Sequence, residues 1–317
     1  MKYVGLQTQI WRNNSRSVIL LLSFPVLILG LTYLFFNLIN YGNVLRISES
    51  YTQFIAASPF VLGGVALWFI IAWFSHSTMI RKATGSKTLD RKENKRVYNL
   101  FENLCISKGM KMPKINVIED DSLNAFASGL SDSTFTVSLS SGIINKLDDK
   151  ELEGVIAHEL THILNRDVRL LIVSIIFVGI FAFLSEMAFR TILRSGRWSR
   201  SSGKNKGSII PLLLIVLGLA LVGYLLSVLL KFAISRKREY MADAGAVEMT
   251  KNPEALASAL RKVSGDARIE AVERKDVAQL FIENPGEKNK KGFFSVLSGL
   301  FASHPPIEDR INILEQF

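Results

Sequence analysis

Two uninterrupted apolar runs dominate the start of the chain. Val18 to Ile39 and Phe54 to Phe74 contain no charged side chain, and each supplies the roughly 20 residues a helix needs to cross a hydrocarbon core of about 30 Å. Core helices of soluble domains seldom run so long without a charge, so both are predicted to span a bilayer. Two further apolar runs follow, Leu170 to Ser185 and Ile209 to Leu230. The second reads as a full span. The first is short and stops at Glu186, which leaves a tilted span, a re-entrant piece and a buried core helix all open.

Between the second and third runs the pattern becomes that of a water-facing α/β region. Val97, Leu100, Phe101, Leu104 and Cys105 recur at helical spacing behind a charged stretch and predict an amphipathic helix ended by Pro113. Lys114 to Ile118 and Phe135 to Leu139 alternate like strands around a turn-rich middle, Asn124-Ala125-Phe126-Ala127-Ser128-Gly129. After the fourth run, Asn252-Pro253 is a helix start through Leu256, Leu260 and Val263, and Pro306 to Gln316 predicts a closing helix.

Composition agrees with residence in lipid. The chain is 49% hydrophobic and 21% charged, too apolar for an ordinary soluble protein of this length. Its net charge of +10 lies beside the apolar runs rather than in one stripe, which fits a membrane surface and excludes nucleic acid as the partner. Lys2, Arg12 and Arg16 precede the first span, and Arg81, Lys82 and Lys87 follow the second. By the positive-inside rule both flanks are cytoplasmic. The loop between the later runs carries Arg190, Arg194, Arg197, Arg200, Lys204 and Lys206 without an acid. Two true spans would put that loop outside, against the same rule, so its side stays open. The first run has no cleavage site after it and reads as a retained anchor. The single cysteine, Cys105, excludes an intramolecular disulfide framework and Cys-rich metal sites, leaving histidines and carboxylates as metal ligands.

The chemistry concentrates in Leu152-Glu153-Gly154-Val155-Ile156-Ala157-His158-Glu159-Leu160-Thr161-His162. Asp148 and Glu151 form a capping-box start, so the segment is predicted helical, and i,i+4 spacing stacks His158 and His162 on one face. Two such imidazoles can hold one zinc ion, and Glu159 is then placed as general base for the attacking water, the division of labour of H-E-x-x-H zinc hydrolases. The chain has four histidines and two are here. A third protein ligand is required, and Glu239 is the candidate, with Asp243 one turn onward to orient a ligating imidazole. Taken alone, the same two acids also read as solvated groups paired with Arg236 or Lys237.

These pieces together resemble the HtpX family of membrane zinc metalloendopeptidases, of the gluzincin class and related to the CAAX prenyl endopeptidases. The resemblance rests on His158 to His162 extended by Asn165-Arg166-Asp167, the block from Ser235 to Asp243, Asn124-Ala125-Phe126, and His304-Pro305-Pro306 with Arg310, and it runs from the first span to the C-terminus. It implies one zinc ion per chain on His158, His162 and Glu239, Glu159 as catalytic base, and Asp243 behind the ligands. It places Asn124, Ala125 and Phe126 on an edge strand where an extended substrate can pair. It gives His304 and Arg310 to an element one member of which stabilises the oxyanion, the alternative being a helix-start turn with Arg310 in a structural ion pair. For Arg236 and Arg238, binding of lipid headgroups near the interface is an equally good reading.

The implied whole is a mainly α integral membrane protein with about four hydrophobic helices and a cytoplasmic α+β gluzincin-like protease domain. Its parts are a two-span anchor (1–75), an α+β part with the H-E-x-x-H helix (76–169), a membrane hairpin (170–230) and a helical part with the third ligand (231–317). His162 and Glu239 must meet, so the chain between them crosses the bilayer an even number of times. The expected substrates are misfolded or damaged membrane polypeptides at the cytoplasmic face of a bacterial inner membrane. A CAAX-type prenyl protein protease and a latent zinc-binding membrane protein are the competing readings.

Overall fold

The computed structural model describes residues 6–41, 44–173, 176, 180, 181, 183, 187, 190, 215–223, 236–265 and 306–316. These fall into two compact units.

The first unit comprises Ser17–Phe74 and the described residues of Val173–Lys231. Helices α1 (Leu6–Ile39) and α2 (Arg46–Thr84) are longer than the apolar runs that predict them. Both qualify by length and composition as membrane spans. Ile19, Leu22, Val26, Phe60, Leu67, Ile70 and Phe74 stand exposed along them, a surface suited to lipid rather than water. Pro25 and Pro59 lie inside the helices; Ser58 donates to the Phe54 carbonyl one turn back, just ahead of Pro59. The hairpin is pinned by Ser50, whose hydroxyl donates to the Phe36 carbonyl while accepting from Asn40 Nδ2. Residues 170–173, 176, 180, 181 and 183 of the third run and 215–223 of the fourth are described and helical; the rest of both runs lies outside the described residues.

The second unit includes Ser75–Ile172 and the described residues of Phe232–Phe317. After β1 (Lys87–Thr88) comes α3 (Lys95–Lys108), which buries Val97, Phe101, Leu104 and Cys105. Asn94 caps its start by accepting from the Val97 N–H, and Gly109 in the left-handed region closes it before Pro113 is reached. Burial pushes the Cys105 thiol up to about 11, which makes it an inert core group. Strand β2 (Lys114–Ile118) forms as the alternation predicts. The stretch that reads as turn-rich by pattern contains β3 (Ala125–Ser128), in keeping with the strand that the resemblance implies, and β4 (Thr136–Ser140) follows.

The sheet order is β1-β2-β4-β3, with β2 parallel to β4 and the other pairs antiparallel. Gly129, at φ 124°, turns the chain between β3 and β4; a Cβ there would lie 2.6 Å from the Thr134 carbonyl oxygen. This topology puts β3 on the edge, against α5 (Asp149–Leu164), which follows the short α4 (Ser141–Lys146).

A complete Asp148/Glu151 capping box starts α5. Glu151 also accepts from Ser258 Oγ and Lys262 Nζ, both at 2.7 Å, tying that start to α7 (Pro253–Gly265). Helix α6 (Arg236–Thr250) packs across α5. Gly245 permits this approach, since a Cβ there would sit 2.4 Å from Thr161 Cγ2. The closing helix, α8 (Ile307–Leu314), packs on α7 and buries Arg310 and Leu314, whereas Ile307 and Ile311 are half-buried.

Candidate active site

Helix α5 delivers His158, Glu159 and His162 to the interior, while α6 brings Glu239 and Asp243, again one turn apart, to face them. The imidazole rings meet edge to face with centroids 4.7 Å apart. His158 Nε2 lies 3.1 Å from His162 Nε2 and 3.6 Å from Glu239 Oε2, and His162 Nε2 lies 3.6 Å from Glu239 Oε1. A tetrahedral zinc with bonds of about 2.0–2.1 Å holds neighbouring ligand atoms about 3.4 Å apart. The spacing and the two-imidazole, one-carboxylate chemistry of the donors therefore fit that ion, and these three residues form a group able to hold a metal.

The remaining ring nitrogens face acids. His158 Nδ1 is 2.9 Å from Asp243 Oδ1, and His162 Nδ1 is 3.2 Å from Asp167 Oδ2. Burial opposes a charged imidazole at 158, yet hydrogen bonds to Asp243 and Glu239 outweigh it and push His158 up to about 9. The surroundings thus favour positive charge where a cation would sit. Burial would raise Asp243 as well, but the adjacent Arg310 guanidinium holds it down at about 2. Glu159 is buried, and that burial raises its pKa against the opposing pull of the two histidines. The Ala127 backbone supplies it with a hydrogen bond, so the outer edge of β3 fronts Glu159.

Arg310 donates through Nε at 2.8 Å and Nη2 at 2.6 Å to the two oxygens of Asp243, and its Nη1 lies 3.6 Å from Glu239 Oε2. The structure therefore brings together His158, Glu159, His162, Glu239, Asp243 and Arg310. Asn124, Ala125 and Phe126 are buried at the start of β3, where the Asn124 side chain accepts from the Ala125 N–H. His304 lies outside the described residues. Sequence reasoning gave no role to Asp167, which follows the end of α5 and falls outside the helical spacing that exposes Asp243. Arg238 lies beside Asp167, its Nη1 donating to the main-chain oxygen at 3.4 Å and standing 3.8 Å from Oδ1.

Residues 91–317 match the sequence model of peptidase family M48, and the chain belongs to that family, whose members are zinc-dependent metallopeptidases. Among curated relatives, a Protease HtpX homolog of Bacteroides fragilis is 61% identical over 325 residues, covering all of both chains. A Protease HtpX homolog of Lactobacillus helveticus is 33% identical over 319 residues, covering 98% of this chain and 99% of the relative. Among solved structures, the crystal structure of S. mikatae Ste24p aligns at 19% identity and a TM-score of 0.48, covering 97% of this chain and 67% of that one. The protein is a membrane zinc metalloprotease.

Proposed function

We propose that this chain is an endopeptidase with one zinc ion held by His158, His162 and Glu239, cleaving misfolded or damaged membrane proteins at the cytoplasmic face of a bacterial inner membrane. The convergence of those three donors beside buried Glu159 carries the reading. A zinc ion held by His158, His162 and Glu239 would supply the Lewis acidity that makes water a nucleophile near neutral pH. The Glu159 carboxylate takes the proton of the attacking water and passes it to the departing amine. Asp243 accepts from His158 Nδ1–H and so reserves Nε2 for the metal. An extended substrate adds along the outer edge of β3 at Asn124, Ala125 and Phe126, in line with the Ala127 hydrogen bond that aims this edge at Glu159.

We assign Arg310 to fixing Asp243 and leave oxyanion stabilisation to His304. Residues 1–75 and 170–230 serve as the membrane anchor and hairpin, in a multi-pass arrangement, while 76–169 and 231–317 carry the protease. The basic last turn of α2, Arg81 and Lys82, supports the cytoplasmic side.

The test is cleavage of an unfolded membrane protein by the full chain in detergent. Activity should vanish with a zinc chelator, return on adding zinc, and resist serine and cysteine reagents, because no acyl-enzyme forms. Cleavage confined to a prenylated C-terminal peptide would transfer the chain to prenyl-protein processing. Chelator-resistant cleavage would refute the mechanism.

A further inference from the structure

Each histidine of the cluster is backed by a carboxylate with an arginine nearby: Arg310 hydrogen-bonds the Asp243 carboxylate, and Arg238 donates to the Asp167 main-chain oxygen and stands 3.8 Å from its carboxylate. His158 Nδ1 meets Asp243, which Arg310 holds from α8. His162 Nδ1 meets Asp167, approached by Arg238 from α6. We propose that Asp167, backed by Arg238, is the positioning residue for His162, fixing its ring and tautomer so that Nε2 is presented to the metal. The inference rests on the reading of His158, His162 and Glu239 as ligands.

His162 Nε2 already points into the donor cluster, which leaves Nδ1 as the nitrogen available to a partner. Asp167 reaches it because Arg166, with φ 61°, turns the chain back at the end of α5. That turn is itself fastened. Arg166 donates to Asp132 at 2.6 Å and lies over the Phe135 ring, and Arg169 Nε donates to the Leu130 carbonyl at 2.8 Å. The Asp167 side chain is 5% exposed, and a carboxylate removed from water to that degree requires hydrogen bonds or a counter-charge. The Arg238 side chain, 13% exposed, provides the nearby cation. Because Arg238 directly precedes Glu239, helix α6 delivers the third ligand and the support of the second histidine from adjacent residues. A carboxylate on the far nitrogen of a ligating imidazole fixes its orientation and raises its basicity.

The plainer alternative is that Asp167 only favours the start of the helical stretch 167–173, through its dipole or as a cap. Asp167→Asn separates the two, since Asn also suits a helix start but carries no charge. The experiment uses the full detergent-purified chain as wild type, Asp167→Asn, Asp167→Ala and Arg238→Met. Zinc dissociation constants come from competition with a chromophoric chelator, and cobalt-substituted samples give visible spectra. Asp167→Asn should weaken zinc binding about 10–100-fold, change the cobalt bands, and lower kcat at saturating zinc with KM unchanged, while the metal-free melting temperature stays near wild type. Arg238→Met should weaken zinc binding in the same direction by a smaller factor.

Zinc affinity within about twofold of wild type in both Asp167 variants would overturn the inference and leave the ligand reading standing. A wild type that binds no zinc would overturn the reading beneath it. Wild-type zinc affinity in Arg238→Met would remove Arg238 from the relay and overturn that half of the inference. Should Asp167→Ala not fold, Asp167→Asn decides alone.

Discussion

Glu159→Gln should reduce kcat on an unfolded protein substrate by about 10²–10⁴-fold, the span that a positioned general base contributes, while the protein keeps its zinc. Glutamine matches glutamate in shape and can still accept the Ala127 hydrogen bond, but it cannot take a proton from water. Glu159 lies on α5 between the two histidines without being one of the three donors that converge. The variant therefore removes proton transfer while leaving the metal site intact. Initial rates together with zinc content by mass spectrometry check both halves. A Gln variant with wild-type rates would mean that another group is the base, and a variant stripped of zinc would mean that Glu159 supports the site structurally.

Arg310→Met should be the most destabilising single change outside the apolar core. Arg310 is fully enclosed and gives two hydrogen bonds to Asp243. Removing one partner of a buried pair leaves the other charge uncompensated, at a cost of about 3–5 kcal/mol. In a chain of this size that corresponds to a melting temperature lower by roughly 10 °C. Asp243 would then be free to protonate or rotate, and His158 would lose the acceptor that sets its tautomer. The double variant Arg310→Met with Asp243→Asn should recover part of the lost stability, because the buried Asp243 charge is removed together with its partner. Thermal unfolding of the metal-free forms gives the comparison. An Arg310→Met melting temperature within a degree or two of wild type would show that the pair contributes little.

The parts of this molecule that obey a strong local period were open to reading from sequence. The two N-terminal candidate spans announce themselves by length and absence of charge. Helix α5 does so by its Asp148/Glu151 box and its apolar face, and the i,i+4 histidines follow from that helix without further assumption. Strand β3 was not legible by pattern. Ala125 to Ser128 is short and buried at every position, so it shows no alternation of inward and outward residues. Arg310 entered through resemblance, as an oxyanion group or as the arginine of a structural ion pair, and pattern alone could not supply its acid. On a short terminal helix an arginine ordinarily faces water, and only the position of Asp243 on a distant helix explains its burial. Glu239 and Asp243 were candidates from the need for a third ligand and their one-turn spacing, but only resemblance set that reading above solvated acids, because the 76 intervening residues carry no signal of approach. Asp167 reaches His162 through a left-handed residue at 166, a conformation that an arginine gives no reason to expect.

The proposed chemistry depends on three donors from two helices sharing one ion. Zinc counted per chain in the purified wild type and in Glu239→Ala tests that most directly, with the metal-free melting temperature of each recorded alongside. About one zinc is expected in the wild type, and its loss in Glu239→Ala, with the variant still folded. A folded Glu239→Ala chain that retains a full complement of zinc would contradict that dependence.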